Sequence, residues 1–191
     1  MPLPIAHAAI GLATHELVGE NQPIPSLWRK LALIGLLANL PDVDVVIGLI
    51  LQGDGSVFHR GPTHSLLFAL GMGWLASRLW RRWSGTASAS FIWCASIILS
   101  HILADALFTS APVSFLWPLE VHWSREHCGW LDVIDSVLLR SWADMGLIFG
   151  AVLVILFSRV LKVKFLPYLN PRAVRVTSGS SLDGRKPTSP L

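Results

Sequence analysis

Apolar residues gather in four long blocks, separated by short polar segments rich in proline, glycine and histidine. The blocks cover residues 27–52, 65–80, 91–109 and 142–161. Their lengths are close to the roughly 20 residues that a helix needs to cross a bilayer. A fifth stretch, residues 5–19, is too short for an ordinary span and predicts a re-entrant or interfacial helix. The pattern therefore predicts an all-α, multi-helix integral membrane bundle.

Composition supports a membrane protein and limits its partners. Hydrophobic residues make up 52% of the 191 positions and charged residues only 14%, whereas soluble domains carry about 25% charged residues. The net charge of +3 is small, and the basic residues cluster at the ends of the apolar blocks, which argues against nucleic acid as a partner. We expect a helical membrane domain over residues 1–165 and a basic, disordered tail over residues 166–191.

The positive charges predict an orientation. Basic residues at positions 29–30, 78–82 and 159–164 mark three places on one side of the membrane, and by the positive-inside rule this side is the cytoplasm. The segments 53–64 and 110–141 then lie on the opposite side. For a bacterial chain, this predicts an inner-membrane protein whose polar segments face the periplasm.

Two aspartates interrupt the first long block, in the sequence LPDVD. An aspartate in the middle of a membrane helix costs about 2.5–3.5 kcal/mol, so Asp42 and Asp44 need a cation, an arginine or water as a partner. Pro41 disfavours helix at Leu40 and predicts a break in the backbone there. Alternatively, the aspartates cap a helix that starts just outside the bilayer.

The block at 91–109 contains His101 and Asp105, which are four residues apart and share one face of a helix. An imidazole and a carboxylate at this spacing can bind one metal ion without distorting the helix. Because they lie among Ile, Leu and Ala, their burial must be compensated. The alternative is a hydrogen-bonded His–Asp pair that links two helices.

The segment HRGPTHS, residues 59–65, places two histidines and an arginine directly before an apolar block. Gly61 and Pro62 predict a turn that lets His59 and His64 converge, and Arg60 could grip an anion. A solvated loop is the alternative interpretation. On the first short helix, His7 and His15 are about two turns apart and share a face, so either could be a ligand or a structural residue.

Together these residues predict a buried metal centre. Carboxylates mixed with imidazoles suit zinc, and manganese or iron also fit. A metal with such ligands activates water for hydrolysis, whereas the nucleophile elbow, the Walker loop and the HExxH motif are absent from the sequence. We assign Asp44, His59 and Arg60 as candidate catalytic residues, and as metal ligands His7, Asp42, His64, His101 and Asp105.

The order of these motifs resembles the YdjM-like family of membrane-bound metal-dependent hydrolases. The resemblance rests on LPDVD, HRGPTHS, SHILADAL and FLWPL, and it covers about residues 5–140. It implies a helical membrane protein with a divalent metal and hydrolase activity, but it does not indicate which substrate is hydrolysed. Asp42, Asp44, His59, His64, His101 and Asp105 match the family pattern, and His7 fills its N-terminal position. Asp135 resembles the acidic residue that often follows the aromatic-proline segment.

A weaker likeness to zinc-dependent phospholipases C and related nucleases favours a phosphoester substrate, such as a lipid head group. His122 and Glu126 form an HxxxE pair of the kind those enzymes contain, although a short polar loop is usually solvated. We therefore expect the bilayer and a small-molecule or lipid substrate as partners. Two alternatives stay open: an ion or proton transporter that uses the same residues as a relay, and a scaffold whose polar residues lock helices together.

Overall fold

The computed structural model describes residues 4–18, 26–84, 90–109, 111–121, 129–131, 134 and 141–169. All regular structure within these ranges is helical, which confirms the predicted all-α membrane bundle. The helices are α1 (Pro4–Val18), α2 (Leu27–Ala38), α3 (Val43–Gln52), a 3₁₀ turn (Pro62–His64), α4 (Leu66–Ser84), α5 (Phe91–Phe108) and α6 (Ser141–Leu169). The predicted tail lies mostly outside the described residues.

The helix α5 is the centre of the bundle, because α1, α2 and α4 all pack against it. Its core-facing residues include Trp93, Ile97, Ile98 and Ile102, each at most 1% exposed. Apolar residues of α2 and α4 complete this core. A helix that is apolar on every side and surrounded by other helices is typical of a buried span.

Within the described residues, two helices are long and apolar enough to cross a membrane: α5 and the part of α6 from Asp144 to Val163. The pair α2 and α3 meets the same requirement if it forms one broken span, bent by 58°. The second predicted block, residues 65–80, forms α4, whose last turns carry Arg78, Arg81 and Arg82, and those charges exclude it from this set. The described helices thus provide two or three candidate spans.

The break between α2 and α3 lies where LPDVD predicts it. The helix α2 ends at Ala38, and the Asn39 side-chain amide donates to the Gly35 carbonyl at 2.8 Å. Asp42 directly precedes α3, but its side chain makes no capping hydrogen bond. This observation disfavours the interpretation of Asp42 as a helix cap and leaves its carboxylate available for another role.

Two glycines allow close helix contacts. A Cβ on Gly11 of α1 would lie 2.9 Å from the Cβ of Ala38 in α2. A Cβ on Gly73 of α4 would lie 2.8 Å from the backbone of Ala95 in α5. Small residues at such crossings let membrane helices approach closely and gain van der Waals contact, so Gly73 holds α4 close to the central helix.

We expect Gly73→Ala to destabilise the protein by about 1–3 kcal/mol, since its methyl group meets backbone atoms that cannot move aside. Gly71→Ala is the matched control on the same helix, because a Cβ there has no neighbour within 4 Å; removing a helical glycine should stabilise by up to about 1 kcal/mol. Thermal unfolding in detergent measures both. Equal melting temperatures for the two variants would contradict this account of the α4–α5 contact.

Candidate metal centre

The structure brings together all eight residues assigned to the site, although they come from five separate segments. His7 lies on α1, Asp42 in the break, Asp44 on α3, and His101 and Asp105 on α5, while the loop before α4 supplies the others. Seven are at most 4% exposed, and the side chain of Asp42 is 14% exposed. The solvated-loop interpretation of residues 59–65 is therefore wrong for the three assigned residues His59, Arg60 and His64.

Three potential ligand atoms form the middle of the cluster. The Nε2 atoms of His64 and His101 are 3.3 Å apart. The Oδ1 atom of Asp42 lies 3.7 Å from the first and 3.4 Å from the second. Ligands at about 2.1 Å from a tetrahedral metal are about 3.4 Å from one another. The triangle therefore has the dimensions of one face of a metal site.

Hydrogen bonds fix which nitrogen of each histidine faces this triangle. His101 Nδ1 lies 2.7 Å from the Ala38 carbonyl oxygen, and His64 Nδ1 lies 3.2 Å from Asp44 Oδ2. A carbonyl and a carboxylate only accept hydrogen bonds, so each Nδ1 carries the proton. Each neutral imidazole then presents the lone pair of Nε2 to its neighbour. Two lone pairs at 3.3 Å require a cation between them, either a proton or a metal.

His7 and Asp105 extend the triangle. His7 stacks on His101 with ring centroids 3.7 Å apart, and its Nε2 lies 3.6 Å from Asp105 Oδ1. The other oxygen of Asp105 lies 3.6 Å from His64 Nε2. His7, His101 and Asp105 form one potential metal-binding group, and Asp42, His64 and His101 form another. Asp44, His59 and His64 form a third such group. Since His101 belongs to the first two groups and its Nδ1 faces the Ala38 carbonyl, its Nε2 could serve both in one five-ligand centre.

Asp44 holds two histidines in place. Its Oδ1 lies 3.2 Å from His59 Nδ1, and its Oδ2 accepts hydrogen bonds from His64 Nδ1 and from the hydroxyl of Thr63. Carboxylates that orient a metal-binding histidine in this way are common and raise its basicity. The same reasoning leaves a lone pair on His59 Nε2, which is buried and has no hydrogen-bond partner.

Arg60 is buried and contacts the centre through Asp105. Its Nε donates to Asp105 Oδ2 at 3.2 Å, and its carbonyl accepts a hydrogen bond from the Ser114 amide at 3.0 Å. The residue adopts a left-handed conformation with φ of 64°, which is uncommon for a side chain other than glycine. The sequence indicates a cation at this position but does not reveal its partner, Asp105.

Without a metal, the charge of the site depends on the protonation of His64, which lies in the 3₁₀ turn. Burial opposes a charge on this imidazole, but the carboxylates of Asp105 and Asp44 outweigh burial and raise its pKa to about 9. A metal that binds at Nε2 must therefore displace a proton. The proton occupies the same place as the metal because both neutralise the surrounding carboxylates.

The donor set fits a divalent cation in a further respect. Several buried polar atoms of the cluster have no hydrogen-bond partner, namely both nitrogens of His7, Asp42 Oδ1, Asp105 Oδ1 and His59 Nε2. Buried polar atoms are normally satisfied, and four of these five belong to the predicted ligands. A cation at the centre would satisfy the carboxylate oxygens and one nitrogen of His7 together.

The remaining sequence candidates have different outcomes. His15 accepts a hydrogen bond from Trp93 Nε1 at 3.0 Å, so it joins α1 to α5 and is absent from the potential metal-binding groups among the described residues. His122, Glu126 and Asp135 lie outside the described residues. Sequence reasoning missed Thr63 and the Ala38 carbonyl as partners of the site.

Comparisons with known proteins point to inner membrane proteins. The family model described as YdjM inner membrane protein matches residues 1–166. The inner membrane protein YbcI of Escherichia coli (strain K12) is 37% identical over 130 residues, which cover 66% of this chain and 70% of the relative. No solved structure matches significantly. The chain belongs to the YdjM family of inner membrane proteins.

Proposed function

We propose that the protein is a membrane-bound metal-dependent hydrolase that acts on a phosphoester, most simply one carried by a lipid-related substrate. The observation that supports this proposal is the convergence of three histidine Nε2 atoms and two aspartates at one buried point. A purely structural cluster would pair its donors with acceptors. Here five buried polar atoms of the cluster have no hydrogen-bond partner, and four of them belong to the predicted ligands His7, Asp42 and Asp105.

Five residues would hold the metal: His7, Asp42, His64, His101 and Asp105. Zinc suits this mixture of imidazole and carboxylate, and manganese or iron also fit it. When bound, such a metal lowers the pKa of water and polarises a phosphoryl oxygen. Burial of the ligands keeps bulk water away and strengthens every electrostatic interaction at the centre.

His59 would act as the proton acceptor. Asp44 Oδ1 accepts a hydrogen bond from His59 Nδ1, which orients the ring and leaves the lone pair on Nε2. A histidine oriented by a carboxylate is the common arrangement for general base catalysis. In this scheme Asp44 is a positioning residue, because it acts through His59 and His64.

Arg60 would position the substrate indirectly. Its guanidinium Nε is engaged by Asp105, so it stabilises the ionised carboxylate of a ligand and adds positive charge beside the centre. That charge favours an anionic substrate such as a phosphoester. The likeness of the motif order to zinc-dependent phospholipases C also supports this substrate class, and the proposed topology exposes the centre to the periplasmic side.

Metal analysis tests the ligand set. We expect the purified wild-type protein to contain about one divalent metal per chain and to lose it to a strong chelator. His101→Ala and Asp105→Ala should abolish binding, since each removes a ligand atom. His15→Ala is the matched control, because this histidine bonds to Trp93. Elemental analysis of the detergent-solubilised proteins provides the measurement, and a metal-free wild type with intact fold would refute the proposal.

The role of Asp44 and His59 is distinguishable from that of the ligands. We expect Asp44→Asn to weaken metal affinity by about 10–100-fold, the usual effect of losing a carboxylate that orients a ligand. His59→Gln should retain the metal but lower turnover by about 10²–10⁴-fold, the contribution of a general base. Metal titration and hydrolysis of phosphoester substrates separate the two. Full activity in His59→Gln would remove it from the reaction.

The transporter alternative makes a different prediction. The decisive assay compares hydrolysis of water-soluble and lipid phosphoesters by the metal-loaded protein with metal or proton uptake into proteoliposomes. Hydrolysis that depends on the metal and is lost in Asp105→Ala supports a hydrolase. Bound metal with uptake, but without hydrolysis of any tested ester, supports a transporter instead.

A further inference from the structure

A long apolar groove lies between α2 and α4, and none of the eight residues assigned to the metal centre is among the described residues that line it. It encloses about 620 Å³, within the range of about 300–1,000 Å³ that is usual for small-molecule sites. One wall runs along α2 from Arg29 and into the break at Leu40, and the other runs along α4 from Trp80 to Met72. Among the described residues that line it, Arg29 alone is charged. Leu36 and Leu79 are 64% and 47% exposed, so the groove opens toward the surroundings of the bundle.

The dimensions of the groove match one half of a bilayer. Nine helical residues lead from Arg29 to Ala38, where α2 ends, a rise of about 14 Å, whereas the hydrocarbon core of a whole bilayer is about 30 Å thick. The groove is therefore about as long as one leaflet, the length of one lipid acyl chain.

One end of the groove is strongly basic. Arg29 and Lys30 lie in the first turns of α2, and Arg81 and Arg82 lie in the last turn of α4. Arg78 stacks over the ring of Trp74, with its guanidinium carbon 5.3 Å from the ring centroid. Basic residues beside tryptophans mark the depth of the lipid head groups, and clusters of them attract anionic lipids.

We propose that this groove binds one acyl chain of an anionic phospholipid, whose phosphate is held at Arg29. The chain would lie along Leu36 and Met72 and end at Leu40, next to Pro41 and the break that carries Asp42. The apolar walls supply the hydrophobic gain, and Arg29 supplies a charge-assisted hydrogen bond to the phosphate. The site is separate from the proposed hydrolysis and does not depend on it.

Native mass spectrometry of the full-length protein tests this proposal. The probes are phosphatidylglycerol and phosphatidylcholine with identical acyl chains, and glycerol phosphate as an anion without a chain. We expect retention of one phosphatidylglycerol per chain, at least tenfold weaker retention of phosphatidylcholine, and no retention of glycerol phosphate. Equal retention of the two lipids would overturn the assignment of an anionic ligand, and binding of glycerol phosphate alone would overturn that of an acyl chain.

Variants locate the lipid within the molecule. Arg29→Gln should weaken retention of phosphatidylglycerol about tenfold, while Arg159→Gln on α6, outside the described groove lining, should change it little. Ala32→Trp should block the groove, whereas Leu70→Trp on another face of α4 should not. Circular dichroism and metal content verify that each variant is folded. Equal effects of Arg29→Gln and Arg159→Gln, or normal retention in folded Ala32→Trp, would refute the site.

Discussion

The close approach of two imidazole nitrogens, His64 Nε2 and His101 Nε2, is the constraint on which the rest of the site depends. Neither nitrogen can donate to the other while both rings are neutral, because each proton is committed to an acceptor behind it. The two buried aspartates beside them add negative charge to the same point. Only a cation can neutralise the aspartates and satisfy both nitrogens. This point of the apolar bundle therefore strongly favours a positive charge.

The broken span makes this arrangement feasible. Pro41 ends the helical pattern, and the Ala38 carbonyl becomes the acceptor that orients His101. The same break presents Asp42 to the centre without using its carboxylate as a helix cap. In a continuous helix through residues 27–52, the Ala38 carbonyl would instead accept a hydrogen bond from the helix backbone. The irregular backbone is thus tolerated because it faces protein and not lipid.

Much of the candidate site could be predicted from the sequence. Burying a charge costs free energy, so only a few roles are possible for a charged residue in an apolar block. The aspartates of LPDVD and the pair His101 and Asp105 are costly in apolar blocks, so their convergence is expected. The long-range partners are not predictable in this way. Nothing in local spacing indicates that Arg60 reaches Asp105, 45 positions away, or that His15 bonds to Trp93, since these contacts depend on how helices pack. The charges near the end of α4 likewise show why an apolar block does not by itself define a span.

The order of the ligands along the chain has a consequence for assembly. The first predicted ligand is residue 7 and the last is residue 105, and the intervening ones come from the break and the 3₁₀ turn. No segment shorter than about half the protein contains the full set. During synthesis, the centre can therefore form only after α5 has emerged and packed against α1 and α2. A metal bound there would be captured late, and it would link the beginning of the chain to its middle once these helices are in place.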